Sequence, residues 1–167
     1  MAASSSSCQV PCGEYDVFIS FRGSDVRFGF VHHLKMALSQ KLIDVYVDDR
    51  LKGGEQISSS LSNAIEGSMI ALVIFSKDYA SSKWCLEELV KIMECKKAGK
   101  QTVIPVFYLV DPSDVRHQKG TYAEAFTLHN EKFKDKVKIW RSALEKSANL
   151  AGYDSSQFQF VDDDEES

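Results

Sequence analysis

The chain is predicted to be an α/β protein, a flavodoxin-like three-layer sandwich with a central parallel sheet of four to five strands. Three observations predict this. Apolar segments of strand length alternate with segments of helical period, in the order βαβαβαβ followed by helices. Two strand segments, Met69–Phe75 and Thr102–Val110, form continuous apolar runs, the pattern of strands covered on both faces. The 167 residues, 44% of them hydrophobic, suit one domain with a real core. Right-handed crossovers then favour the strand order 2-1-3-4, with room for a fifth.

Each element has its own justification. Residues 1–13 are Ser-rich and polar and read as a disordered leader to a domain over 14–153. Tyr15–Phe21 is a short apolar strand. Val26–Gln40 carries Phe30, Leu34, Ala37 and Leu38 as a helical stripe. Asp44–Val47 predicts the second strand. The charged loop Asp48–Gln56 contains Gly53-Gly54, a flexible point. Ile57–Ile65 reads as a short helix, Lys83–Lys97 as a long one. Asp111-Pro112-Ser113-Asp114 reads as a turn. Thr121–His129 and Asp135–Leu150 are helical, the second with Ile139, Trp140, Ala143, Leu144 and Ser147 on one stripe. Residues 154–167 read as an acidic tail or the start of a last helix, with Phe158–Val161 as a weak edge strand or simply tail.

Composition narrows the function. The net charge is −4, and Asp162–Glu166 alone carries five negative charges, so the folded body is near neutral. There is no overall basic field for nucleic acid, and a near-neutral body suits self-association. No run of 18 apolar residues exists, so no membrane span is expected. The start lacks the basic and apolar regions of a secretory signal. Of the four cysteines, Cys85 and Cys95 are separated by roughly 15 Å along one helix, too far for a disulfide. No Cys/His metal spacing appears, so no metal is expected. Reduced thiols and a cytoplasmic or nuclear location are the expectation.

Two segments hold the candidate chemistry. Ser20-Phe-Arg-Gly-Ser-Asp25 follows the first strand, where loops at the carboxyl ends of strands converge on a crevice. Its backbone N–H groups and Arg22 suit phosphate oxygens or a ribose. An ordinary turn with Asp25 as helix N-cap fits the same residues, and the pattern leaves both open. The second segment is Ser82-Lys-Trp-Cys-Leu-Glu-Glu-Leu89. Cys85, Leu86, Leu89, Ile92 and Met93 define its buried face. Glu87 falls roughly 160° from that face's centre and should be solvated; Glu88 falls roughly 100° away, where it can line a cleft. Trp84 lies one turn before Glu88, and an aromatic plate beside a carboxylate suits a flat cationic ligand. Acidic residues that merely complement the helix dipole are common in a first turn, and on pattern alone that reading is the stronger one.

Other chemistries are disfavoured. Glu87 and Glu88 point apart, against a two-carboxylate glycosidase. The first and third strands lack the acidic ends of a phosphoacceptor site. His117 and His129 read as surface residues. His32-His33 lies beside the first helix's stripe, suited either to a contact between like surfaces or to solvent. Cys85 reads as a reactive thiol at a helix N-terminus or as a small core residue.

The motifs Tyr15-Asp-Val-Phe-Ile-Ser-Phe-Arg-Gly, Ala64-Ile-Glu-Gly-Ser68, Ser82–Leu89, Pro105-Val-Phe-Tyr, Val110-Asp-Pro-Ser-Asp-Val-Arg116 and Ala148-Asn-Leu-Ala-Gly152 occur in this order. Together they resemble a plant Toll/interleukin-1 receptor (TIR) domain, of the type that opens nucleotide-binding leucine-rich-repeat immune receptors. The resemblance covers about Tyr15 to Gly152.

It implies an NAD+ nucleosidase that releases nicotinamide and leaves ADP-ribose or cyclic or variant relatives as immune signals. NAD+, or NADP+, would be the substrate, with no tightly bound cofactor. The catalytic glutamate of the family maps to Glu88. Substrate contacts map to Trp84, to the loop Phe21, Arg22, Gly23, Ser24, Asp25, Val26 and Arg27, and to Lys52, Gly53 and Gly54. Cys85 matches a cysteine linked to a second activity, formation of 2′,3′-cyclic nucleotides from nucleic acid. Self-association through TIR–TIR contacts should switch the enzyme on, and His32 and His33 stand where the family has a Ser-His pair. Downstream immune signalling proteins would respond to the product. A non-enzymatic docking adaptor is the rival reading. Tyr153 stands where the family has Trp, and the resemblance implies a final helix starting near Asp162–Ser167.

Overall fold

The computed structural model describes residues 14–47 and 58–157, apart from the Asp25 side chain. Five parallel strands form one sheet in the order β2-β1-β3-β4-β5. They are β1 Tyr15–Ser20, β2 Val45–Val47, β3 Ser68–Phe75, β4 Thr102–Phe107 and β5 Tyr153–Asp154. The predicted α/β sandwich and the 2-1-3-4 order are present, with the fifth strand beside β4. In register, Ile19 sits opposite Val47 and Leu72, and Ile74 opposite Val106.

The two sheet faces are covered unequally. One carries α3 Ser59–Glu66, α4 Lys83–Lys97, α5 Pro112–His117, α6 Thr121–Lys132 and α7 Lys134–Ala148. Phe18, Ala71, Val73 and Phe75 meet Leu61, Leu86, Leu89, Tyr122, Phe126 and Trp140 there in the larger core. On the opposite face Val17, Ile19, Ile74 and Val106 pack with Val26 and Val31 of the first helical segment. That segment runs as α1 Ser24–Val26, a π-helical turn Arg27–Val31 and α2 His32–Gln40. Apolar area removed from water stabilises at about 25 cal/mol per Å², so the larger core dominates the fold's stability.

Several expectations need correction. Ala37 and Ile139 are exposed, because each lies at the outer margin of its helix's stripe. Asp111–Asp114 opens a helix rather than forming only a turn: the Asp111 side chain accepts from the Ser113 N–H at 2.8 Å, and Pro112 occupies the first turn. β4 ends at Phe107, and a strand at Tyr153–Asp154 pairs with it; Phe158–Val161 lies outside the described residues. Gly152 permits that strand, since a Cβ there would stand 2.1 Å from the Pro105 carbonyl oxygen. The helix expected from Ile57 starts at Ser59, capped by Ser58, whose Oγ accepts from the Leu61 N–H.

Candidate active site

β1 and β3 end side by side, and the segments that follow them enclose a cavity of about 400 Å³. This is the crevice expected at the carboxyl ends of strands in an open parallel sheet. One wall is the β1–α1 loop with the start of the first helix: Phe21, Arg22, Gly23, Ser24, Arg27 and Phe28. The other is Asp78, Ser81 and Ser82 with Trp84, Cys85 and Glu88 of α4.

Local chemistry explains each wall. Gly23 has φ 102°, in the left-handed region that a side chain strains, so glycine lets the chain turn from strand into helix. Gly23 is also the residue before the helix, and Asp25 lies within it, so the N-cap position is Gly23 and not Asp25. Arg27 lies over the Phe21 ring, 4.8 Å from its centroid. On the other wall Ser82 caps α4, its Oγ accepting from the Cys85 N–H at 3.4 Å. Trp84 is half-buried, with the Lys83 ammonium 4.6 Å from its ring centroid.

Glu88 is buried, at 4% exposure. It follows Trp84 by one helical turn, so both reach the same cavity. Behind it Tyr79, fully buried in the 3₁₀ turn Tyr79–Ser81, donates to the Cys85 carbonyl at 3.1 Å. With that proton committed, Ser20 Oγ, 2.9 Å away, donates to the Tyr79 oxygen. Burial drives the Tyr79 hydroxyl well above the usual tyrosine range, and the Cys85 thiol and the Glu88 carboxylate add to it. Tyr79 therefore stays a neutral donor. Tyr122, also raised by burial, donates to the Ser76 carbonyl at 2.8 Å. Ser76 Oγ donates to the Arg22 carbonyl at 3.4 Å, tying β3's end to the opposite wall.

The structure thus brings Phe21, Arg22, Gly23, Ser24, Arg27, Trp84, Cys85 and Glu88 to one cavity. Val26 instead packs in the smaller core, at 6% exposure. Lys52, Gly53 and Gly54 lie outside the described residues. Cys85 is both cavity wall and core, its Sγ donating to the Phe21 carbonyl at 3.5 Å. Glu87 is not simply solvated: Lys136 donates to it at 2.7 Å. His32 and His33 are exposed on the outer side of the first helix, rings 5.8 Å apart. His117 is exposed as expected, whereas His129 is buried, against expectation.

Ser82, from the second candidate segment, lines the cavity, and so do Asp78, Ser81 and Phe28, which the sequence does not single out. The rule that locates the β1 loop also applies to the segment after β3, and finds Asp78 and Ser81. Among the described residues no cluster of His, Cys, Asp and Glu could hold a metal ion, and no helix is long and apolar enough to cross a membrane.

Comparison with known proteins agrees with the motif resemblance. A family model described as "TIR domain" matches residues 14–162. The disease resistance protein RPV1 of Vitis rotundifolia is 50% identical over 91% of this chain, and TMV resistance protein N of Nicotiana glutinosa is 54% identical over 91%. The chain spans only 11% and 13% of those two relatives. The TIR domains of the activated Roq1 resistosome, described as directly recognizing the pathogen effector XopQ, superpose with a TM-score of 0.77 at 54% identity, covering 84% of this chain and 87% of that one.

Proposed function

The chain belongs to the TIR domain family, in the form carried by plant disease-resistance proteins, and we propose that it is an NAD+ nucleosidase acting as an immune-signalling domain. The observation that carries this reading is the buried Glu88 carboxylate in the same cavity as Trp84, Arg22 and Arg27.

The reaction cleaves one bond. The C1′–N bond of the nicotinamide riboside breaks and its electron pair leaves with nicotinamide, which becomes neutral. Positive charge develops on the ribose as an oxocarbenium-like centre. A fixed carboxylate in a site sheltered from water stabilises such a charge where it forms. Glu88 takes this role. Water adds to C1′ and loses a proton, giving ADP-ribose; attack by a group of the substrate itself gives a cyclic product. Trp84 offers a flat face to the cationic nicotinamide ring. Arg22 and Arg27 supply guanidinium groups for the pyrophosphate. NAD+ is substrate here, and the scheme needs no resident cofactor.

Self-association belongs to the same proposal. His32, His33 and the half-exposed Met36 share the outer surface of the first helix, a mixed polar and apolar patch suited to a second copy. The Roq1 TIR domains belong to a resistosome, which supports assembly as the working state. A cytoplasmic or nuclear site of action, with downstream signalling proteins responding to the product, completes the reading. Formation of cyclic nucleotides at Cys85 has less support, because its Sγ is turned to the Phe21 carbonyl and the side chain packs in the larger core.

The test is nicotinamide release from NAD+ by the concentrated domain, with Glu88→Ala alongside. Release by wild type and none by the variant is expected. Equal release from both would remove Glu88 from the chemistry. If neither releases nicotinamide even when fused to an oligomerising partner, the docking adaptor is the better reading.

A further inference from the structure

Behind the α4 wall, the corner between α6 and α7 holds a buried imidazole. His129 is 6% exposed. Phe126, Phe133 and Trp140 surround it, with ring centroids 5.6, 5.9 and 5.2 Å away. Its Nε2 lies 2.7 Å from the Ala80 carbonyl oxygen. A carbonyl only accepts, so Nε2 carries the proton and donates it. Ala80 is the middle residue of the turn Tyr79–Ser81. That turn sends Ser81 to the cavity and Tyr79 to the Cys85 carbonyl. Burying a polar ring among aromatics costs free energy that a phenylalanine would not incur, so what the histidine adds at this position is its donor.

A second connection joins the same box to the cavity. The Lys83 ammonium lies 4.6 Å from the Trp84 ring centroid and 5.1 Å from that of Phe133. It is shared between a cavity residue and a wall of the histidine's box. The Lys136–Glu87 ion pair ties the starts of α7 and α4 alongside it.

We propose that His129 is a positioning residue for the cavity: by holding the Ala80 carbonyl it sets the turn that carries Tyr79 and Ser81, and through Tyr79 the placement of Cys85 and Glu88 on α4. The kinetic part of this inference rests on the nucleosidase reading; the geometric part does not.

Two substitutions separate shape from donor. His129→Phe keeps a ring in the box and loses the N–H; His129→Gln keeps an N–H. For each, kcat and KM for nicotinamide release are measured, together with the rate of iodoacetamide alkylation at Cys85 by peptide mass mapping, which needs no turnover. His129→Phe should lower kcat about tenfold, the worth of one hydrogen bond, with KM little changed. Cys85 should react several-fold faster in it, and His129→Gln should return both readouts most of the way to wild type. A folded His129→Phe with wild-type kcat and wild-type Cys85 reactivity overturns the proposal. So does a folded His129→Gln as impaired as the phenylalanine variant, because shape would then be what matters. Should His129→Phe not fold, His129→Met, which also fills the box without an N–H donor, takes its place with the same expected and the same overturning results. If the wild type releases no nicotinamide even when fused to an oligomerising partner, the nucleosidase reading fails alone, and the Cys85 rates still decide the positioning.

Discussion

On the α4 wall of the cavity, Ser82, Cys85 and Glu88 are all buried, and Ser82 caps the helix that carries the other two. On the opposite wall Arg22 and Ser24 are exposed, Phe28 is 75% exposed, and no side chain caps the helix that follows. The second wall also runs into a π-helical turn at Arg27–Val31, a geometry that recurs at functional sites in otherwise α-helical segments. The contrast is between a chemical group fixed in place and a surface that can adapt. A carboxylate that meets a developing charge must be pre-placed, because movement during the reaction costs what the placement supplies. Groups that grip phosphates need charge and reach more than fixity.

Variants on the two walls should therefore fail differently. The largest effect belongs to Glu88→Gln, which keeps the shape and removes the charge. Its kcat should fall about 10²- to 10³-fold with KM close to wild type, read by steady-state nicotinamide release. Next is Tyr79→Phe, which removes a buried donor to the Cys85 carbonyl and the acceptor for Ser20. A loss of about 1–3 kcal/mol in denaturant unfolding is expected, with kcat lowered. On the adaptable wall, Arg22→Gln combined with Arg27→Gln should raise KM about tenfold and leave kcat nearly unchanged. Ser82→Ala should cost about 1 kcal/mol of stability through the lost cap.

The pH dependence of stability separates the core beneath the walls from both. Tyr79 and Tyr122 keep their protons in the fold more tightly than in the unfolded chain, because both are buried. Their contribution is complete below about pH 10, where unfolded tyrosine ionises, and declines as pH rises beyond it. Urea unfolding of wild type and Tyr79→Phe between pH 8 and 11, as an order-of-magnitude window around that value, should show a shallower alkaline loss in the variant.

The rigid wall was more legible in the sequence than what supports it. α4 lies at Lys83–Lys97 as predicted, because a serine at the start and an apolar stripe from Cys85 to Met93 are strong local signals. Glu88 was placed at a cleft by its angle from that stripe, and it lines the cavity. The β1 loop was placed by strand order alone, since its pattern also fitted an ordinary turn. What sequence could not show is contact between distant segments. His129 looked like a surface histidine because its neighbours Phe133 and Trp140 reach it from the next turn and helix. Tyr79 carries no signal in the sequence, because its partners, Ser20 and Cys85, come from β1 and α4. β5 is two residues long, too short for any periodicity. α5 was readable, since Asp111 and Pro112 are a cap and a first-turn proline, but the same residues also form turns.

The most direct measurement is kcat and KM for nicotinamide release by wild type, Glu88→Gln and the Arg22→Gln/Arg27→Gln pair, side by side in one oligomeric preparation. The account predicts a lost kcat for the glutamate variant and a raised KM for the arginine pair. A Glu88→Gln protein that turns over NAD+ at the wild-type kcat would contradict it, because the buried carboxylate would then have no part in the chemistry.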